Sequence, residues 1–309
     1  MARNFTNPVN YTVTAENGTK KVYSVTVKTP PWTRVLKNEY VTDIFVVGSN
    51  WYASTFNNGL VISHDNFNTF TRKTTANGLG RNRVLGVHGD GSRVYAATYD
   101  GGLSISYNGG NTFRPAPHAG SFVYDVFSRG PYVYAASYGL SISNNYGMTF
   151  VRRFTTNGLG DNAVRGVFAT GWNVYAATNG GLSISSNRGK SFINKTTANG
   201  LGSNRVHAVF ANGSRVYAAT AAGLSISTDG GNTFANRTRA NGLGCNLLHA
   251  VFAKDNVIYA GTDCGISVSM DGGNTFVNYL YPYEVHGIFV NGSTLYAATT
   301  RGLYFIELP

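Results

Sequence analysis

The 309-residue chain carries a net charge of +11 although only 13% of its residues are charged, and 13% are aromatic. So few charges beside so many large rings exclude a disordered chain, and 38 glycines without a G-X-Y period point to many tight turns between short strands. No stretch approaches the roughly 18 apolar residues of a membrane helix, and Met1-Ala2-Arg3-Asn4-Phe5 lacks the apolar core of a signal peptide. The basic balance attracts acidic partners, whether polyanionic glycans, acidic proteins, membrane surfaces or nucleic acid, and does not choose among them.

In chain order, residues 1 to 31 form the first region. Tyr11-Thr12-Val13-Thr14 and Val22-Tyr23-Ser24-Val25-Thr26-Val27 alternate in polarity around Asn17-Gly18, which predicts a hairpin with a two-residue turn. A lone hairpin is marginal. These strands resemble the end of the immunoglobulin-like modules that precede other domains in bacterial surface lipoproteins, including those of spirochaetes. The resemblance implies the tail of a neighbouring module, a secreted or cell-surface setting, and a leader or anchor not in this chain. Pro30-Pro31 reads as a stiff linker, and residues 32 to 309 as the second domain.

From there a unit of about 40 residues recurs, within the period of propeller blades. Its clearest copy runs Val206 to Phe210, Ser214 to Thr220, Gly223 to Ser227 and Asp229 to Phe234, ending in Asn241-Gly242-Leu243-Gly244. Each piece has strand length and each junction carries Gly, Asn or Asp, giving four antiparallel strands. In the third, Leu-Ser-Ile-Ser puts aliphatics on one face and hydroxyls on the other, predicting one more polar side. The first strand recurs seven times, at Val41–Phe45, Val84–His88, Val123–Phe127, Val164–Phe168, Val206–Phe210, Leu248–Phe252 and Val285–Phe289. The last copy stops after its third strand at Ile306, and Trp32–Lys37 is predicted to supply the fourth. Stacking such sheets radially buries both faces of each. The predicted fold is all-β: a seven-bladed β-propeller closed by strand exchange between its ends, without helical blocks, and monomeric.

Six times the third strand ends in Ser-x-(Asp/Asn)-x-x-x-(Thr/Ser)-Phe, at Ser63 to Phe70, Ser106 to Phe113, Ser143 to Phe150, Ser185 to Phe192, Ser227 to Phe234 and Ser269 to Phe276. This is similar to the Asp-box of sialidase-type and related propellers. The carboxylate of that pattern is kept at Asp65, Asp229 and Asp271 and replaced by Asn108, Asn145 and Asn187. Either side chain can accept a backbone N–H across a tight turn, so the box reads as structural, with its Phe plugged between blades. Usual propeller order puts it on the face opposite the active-site loops.

Comparison of the seven copies shows where side chains vary. One rim collects the loops entering the first strand and those between strands two and three. Its columns hold Tyr40, Arg83, Arg205 and Glu284; Tyr124, Arg165, His207, His249 and His286; and Tyr99, Tyr138, Asp263 and Arg301. A funnel of Arg, His and Tyr suits an acidic or sugar-bearing ligand, because guanidinium forks onto oxyanions and aromatic faces stack on pyranose rings. Ordinary solvated rim residues are the competing reading. His207, His249 and His286 share one column and are candidate zinc or copper ligands, against descent from one repeat as the plain explanation. Cys245 and Cys264 fall on this rim of the sixth blade, where a disulfide is favoured over two free thiols.

An enzyme needs more. The Phe-Arg-Ile-Pro motif that a sialidase resemblance would carry is absent, and Phe113-Arg114-Pro115 is a weak echo. A two-carboxylate glycoside hydrolase would draw on Asp43, Asp125, Asp263 and Glu284, none of them in a motif. The expectation is a non-catalytic, lectin-like or adhesin-like binding module for a glycan or an acidic protein, with no cofactor and no specific nucleic acid. A glycoside hydrolase and a structural spacer are the alternatives.

Overall fold

The computed structural model describes residues 9–25 and 31–308. The chain divides into two compact units, Met1–Thr33 and Arg34–Pro309. In the first, Val9–Thr14 pairs antiparallel with Lys20–Val25, Thr14 opposite Lys20. The turn is longer than the expected two residues. The Ala15 N–H bonds to the Thr19 carbonyl at 2.9 Å, so Glu16, Asn17 and Gly18 form a three-residue loop, with Gly18 left-handed at φ 79°. The Asn17 side chain accepts the Thr19 N–H at 3.0 Å and so shapes the loop without sitting in a two-residue turn. Residues 26–27, assigned to the second strand, lie outside the described residues.

The second unit is a seven-bladed β-propeller of seven four-stranded sheets. Blade one comprises Val41–Val47, Asn50–Thr55, Leu60–Ser63 and Thr71–Lys73, and the next five follow the same order. In blade seven Val285–Asn291, Thr294–Thr299 and Gly302–Glu307 are completed by Thr33–Val35, so the strand exchange occurs. That strand is shorter than expected: Leu36 and Asn38 adopt positive φ and turn the chain away, while the Arg34 Nε donates to the Arg301 carbonyl at 3.0 Å.

First strands touch one another in a closed cycle around the ring, so they line the central channel. Second strands such as Arg215–Thr220, Arg-Val-Tyr-Ala-Ala-Thr, are buried almost end to end, because each sheet is sandwiched between two others. For the same reason the expected polar side of the third strand is absent. Ser104, Ser183 and Ser225 are fully buried, and each accepts a loop N–H, from Gly80, Gly160 and Gly202, at 2.9 Å. The hydroxyl face is an inter-element hydrogen-bonding face instead of a solvated one.

Four short 3-10 turns, at Thr75–Asn77, Thr155–Asn157, Thr197–Asn199 and Arg239–Asn241, carry the chain from fourth to first strand. In the first, Asn77 accepts the Thr74 N–H at 3.0 Å, and Leu79 drops into the core with 3% of its surface exposed. That anchor fixes where the next first strand begins, and with it the channel mouth.

At the six turns between third and fourth strands, the side chains at Asp65, Asn108, Asn145, Asn187, Asp229 and Asp271 all accept a hydrogen bond from the preceding Ser hydroxyl. They also accept a backbone N–H four residues on, Asp65 from Thr69 at 2.9 Å and Asn108 from Thr112 at 3.0 Å. Asparagine keeps both bonds and reverses the third, its Nδ2 donating to Thr112 Oγ1 at 3.0 Å where Asp65 accepts from Thr69. Four of the six phenylalanines, Phe113, Phe192, Phe234 and Phe276, are buried, while Phe70 is 44% exposed. In blade one the plug is Phe67, packed with Leu36 and Tyr296 at the seam with blade seven. These turns bond to the turns between first and second strands, as in Gly109 N–H to the Ser92 carbonyl at 2.9 Å, at the end of the first strand away from the mouth.

Candidate functional site at the channel mouth

The mouth is built by one irregularity repeated around the ring. In six blades the pairing of the first two strands slips between the first and third residues of the first strand, as between Val41 and Asp43 or Val206 and Ala208. The extra residue of such a bulge leaves the ladder and is re-aimed. That residue is Thr42, Leu85, Arg165, His207, His249 or His286, and with Tyr124 of blade three all of them line one cavity of about 370 Å³. Tyr40, Phe56, Arg205 and Leu247 complete its wall.

Around this cavity the side chains stack in an unbroken arc. His207 and His249 lie face to face with centroids 5.7 Å apart, His249 and His286 at 4.7 Å, His286 and Tyr40 at 5.0 Å, and Tyr40 and Phe56 at 4.8 Å. The Arg83 guanidinium rests 3.7 Å from the Phe56 ring centre and 4.2 Å from that of Tyr99. Tyr99 meets Tyr124 edge-on at 6.4 Å, and Arg165 lies 4.7 Å over Tyr124. Cation–π contact holds long side chains in place that would otherwise lose rotamer freedom on binding.

Charge is divided across the mouth. On blades six and seven the imidazoles have acidic partners: His249 Nε2 is 2.5 Å from Asp263 Oδ1, and His286 Nε2 is 3.3 Å from Glu284 Oε2 and 3.0 Å from the Tyr40 hydroxyl. On blades two, four and five Arg83, Arg165 and Arg205 have no acidic partner among the described residues. Burial, together with His249, holds His286 down to about 4. Burial likewise lowers His207, helped by His249, Arg205 and Arg165. Burial, with Glu284 nearby, raises the Tyr40 phenol.

Of the side chains singled out from sequence, Tyr138 and Arg301 line no part of the cavity. Tyr138 is 64% exposed and packs outward against Phe154 at 6.2 Å, while Arg301 is exposed and offers its carbonyl to Arg34. Arg83 and Tyr99 join the arc without reaching the cavity wall. The three histidines present stacked faces, and their bonded nitrogens are taken by the Leu248 carbonyl, Asp263 and Tyr40. Among the described residues no group of three or more His, Cys, Asp and Glu is arranged to hold a metal ion. A disulfide joins Cys245 and Cys264, whose Cα atoms are 5.5 Å apart, and fastens the loop entering blade six to the rim turn beside Asp263.

A second cavity of about 200 Å³ adjoins the first and has Asp43 and Asp125 in its wall. Each carboxylate bridges two blades. Asp43 accepts the N–H groups of Ile44 and Val87 at 2.8 and 3.0 Å, and Asp125 those of Val126 and Val167, both at 2.8 Å. Enclosure raises Asp43 to about 7, with Asp125 adding to the shift, and raises Asp125 to about 6. On its other side Asp43 is met by blade seven, where a Cβ on Gly287 would stand 2.8 Å from Asp43 Cα. Two residues further along, Phe45, His88, Phe127, Phe168, Phe210, Phe252 and Phe289 form a closed aromatic girdle with successive centroids 4.2 to 6.0 Å apart. The Phe that recurs at this position in six of the seven first strands signalled this girdle, which no reading of the rim columns anticipated.

A sequence family described as "SGBP, N-terminal" matches residues 1–27. No curated protein matches the chain. Among solved structures, the chain is similar to the extracellular domain of a one-component system protein from B. thetaiotaomicron, at TM-score 0.75 and 13% identity, over 90% of this chain and 40% of that one. It is similar to YCF48 from Cyanidioschyzon merolae at TM-score 0.66 and 12% identity, over 90% and 98%. It is also similar to the GH74 xyloglucanase from Xanthomonas campestris at TM-score 0.68 and 15% identity, over 90% and 54%. At such identities these likenesses show a shared propeller fold, one that serves enzymes and non-enzymes alike.

Proposed function

We propose that this chain is a non-catalytic glycan-binding module of a bacterial surface or secreted protein, taking its ligand in the mouth of the propeller. The observation that carries the reading is the arc of stacked rings and guanidiniums around a cavity of about 370 Å³, a concave wall whose apolar rings, hydroxyls, imidazoles and guanidiniums suit the mixed apolar and hydroxyl surface of a sugar. The match of residues 1–27 to the "SGBP, N-terminal" family supports it, as does the extracellular setting named for one structural neighbour. In this reading residues 1–31 end a preceding module and residues 32–309 are the binding domain, whose six Ser-Asp/Asn turns are Asp-boxes with a structural role. Hydrolysis is disfavoured by the acids themselves. Asp43 and Asp125 are spent on backbone N–H groups, and Asp263 and Glu284 on histidines.

Calorimetric titration with a panel of soluble polysaccharides tests the proposal. Wild-type protein should bind at least one of them without cleaving it. Tyr40→Ala with Tyr124→Ala should lower that affinity tenfold or more in a protein that still unfolds in one cooperative transition well above the assay temperature. Equal binding by the variant, or binding to no glycan at all, would overturn the reading.

A further inference from the structure

We infer that the sugar held at the mouth is anionic, a pyranose bearing a carboxylate or a sulfate, with its oxyanion seated between Arg165 and Arg205. This deepens the glycan reading and rests on it. Both side chains line the cavity, alongside His207. Among the described residues the only side-chain hydrogen bond of Arg165 is a long one, 3.5 Å from Nε to Asn179 Oδ1, and the Arg205 guanidinium has none, its backbone N–H alone bonding to Ser203 Oγ at 3.1 Å. Each guanidinium has five donors in a planar fork, so most remain free on a concave wall.

The acids that would ordinarily neutralise such a pair are on the other side of the mouth, tied to His249 and His286. A neutral sugar would leave the Arg165 and Arg205 side uncompensated, whereas an oxyanion would take charge-assisted bonds from both. The mouth also gives that anion a preferred orientation. Turned the other way it would meet His249 and His286, whose partners Asp263 and Glu284 carry like charge. Arg165 is already held over Tyr124 at 4.7 Å, so its fork loses little rotamer freedom when it takes up the oxyanion.

The experiment compares polygalacturonate with its fully methyl-esterified form, and chondroitin sulfate with its desulfated form, by titration at fixed ionic strength. Wild-type protein should bind one anionic polymer at least tenfold tighter than its partner with the charge removed, and which one identifies carboxylate or sulfate. Arg165→Gln with Arg205→Gln should abolish that preference, so that the charged and uncharged forms of the polymer bind alike. Because the whole chain is basic, Arg129→Gln with Lys254→Gln, on the opposite face, serves as control and should retain the preference. Equal loss in the control would show nonspecific attraction and overturn the inference. So would wild-type binding that ignores the anionic group, an outcome that leaves the glycan reading standing, whereas no binding to any polymer in the wider panel removes both.

Discussion

Replacing His88 by phenylalanine makes the girdle uniform and removes its one titratable ring, and the consequence for stability changes sign with pH. His88 is packed between Phe45 and Phe127, with centroids at 4.2 and 4.5 Å, and its Nδ1 accepts the Ser128 N–H at 3.2 Å. Burial holds its folded-state pKa down to about 3, against about 6.5 when unfolded. A lowered histidine pKa means that the unfolded chain binds the proton first, so the His88 contribution is intact above about 6.5 and is lost as pH falls toward 3. At pH 4 the loss is about 3 kcal/mol, from about 1.4 kcal/mol per unit over roughly 2.5 units.

At pH 7.5 His88→Phe costs about 1 kcal/mol, the value of the acceptor it removes. The two stabilities should therefore cross between about pH 5 and 6, and at pH 4 the variant should be the more stable by about 2 kcal/mol. Asp43 and Asp125, whose raised pKa values act in the opposite direction as pH rises, titrate in both proteins and cancel in the difference. Urea unfolding at four pH values measures it. A gap between the two proteins that stays constant from pH 4 to 8 would show that protonation of His88 is not coupled to folding.

Tyr296→Phe should cost about 1–2 kcal/mol in urea unfolding, because its hydroxyl accepts from Trp51 Nε1 and donates to Asn66 Oδ1, both at 2.9 Å, across the closing seam. Tyr52→Phe is the contrast: that hydroxyl is buried without a partner among the described residues, so its removal should be neutral or stabilising in the same assay. Cys245→Ser with Cys264→Ser opens a loop with a sequence separation of 19 and should lower stability by about 3 kcal/mol, matched by adding reductant to the wild type. Gly59→Ala should cost more than about 2 kcal/mol in thermal or urea unfolding, since φ is +82° and the new Cβ would lie 2.0 Å from the Lys73 carbonyl oxygen.

The architecture was legible because the repeat is in phase. Seven copies beginning at Val41, Val84, Val123, Val164, Val206, Leu248 and Val285 fixed the blade count, and a last copy without a fourth strand announced the exchange with the segment at Thr33–Val35. The column from Thr42 to His286 was legible as a column, but not the bulge that turns it into the channel, since a one-residue slip leaves no residue type behind. Burial on both faces hid the third-strand serines: alternation that reads as a solvated side in an open sheet is the same alternation that feeds loop N–H groups here. Asp43 and Asp125 were weighed as acids for chemistry because sequence shows a carboxylate and not what it binds, and the Val87 and Val167 N–H groups come from the next blade. The hold of Phe56 and Tyr99 on Arg83 also joins separate blades. No local pattern announces such a contact.

Glycan binding at the mouth is decided by the structure of the propeller crystallised with a short oligosaccharide drawn from whichever polysaccharide it binds. The expected density lies in the mouth, a sugar ring against Tyr40 or Tyr124 and its anionic group within about 3 Å of Arg165 or Arg205. A sugar seated on the opposite face, beside the Ser-Asp turns, with the mouth filled only by solvent, would contradict it.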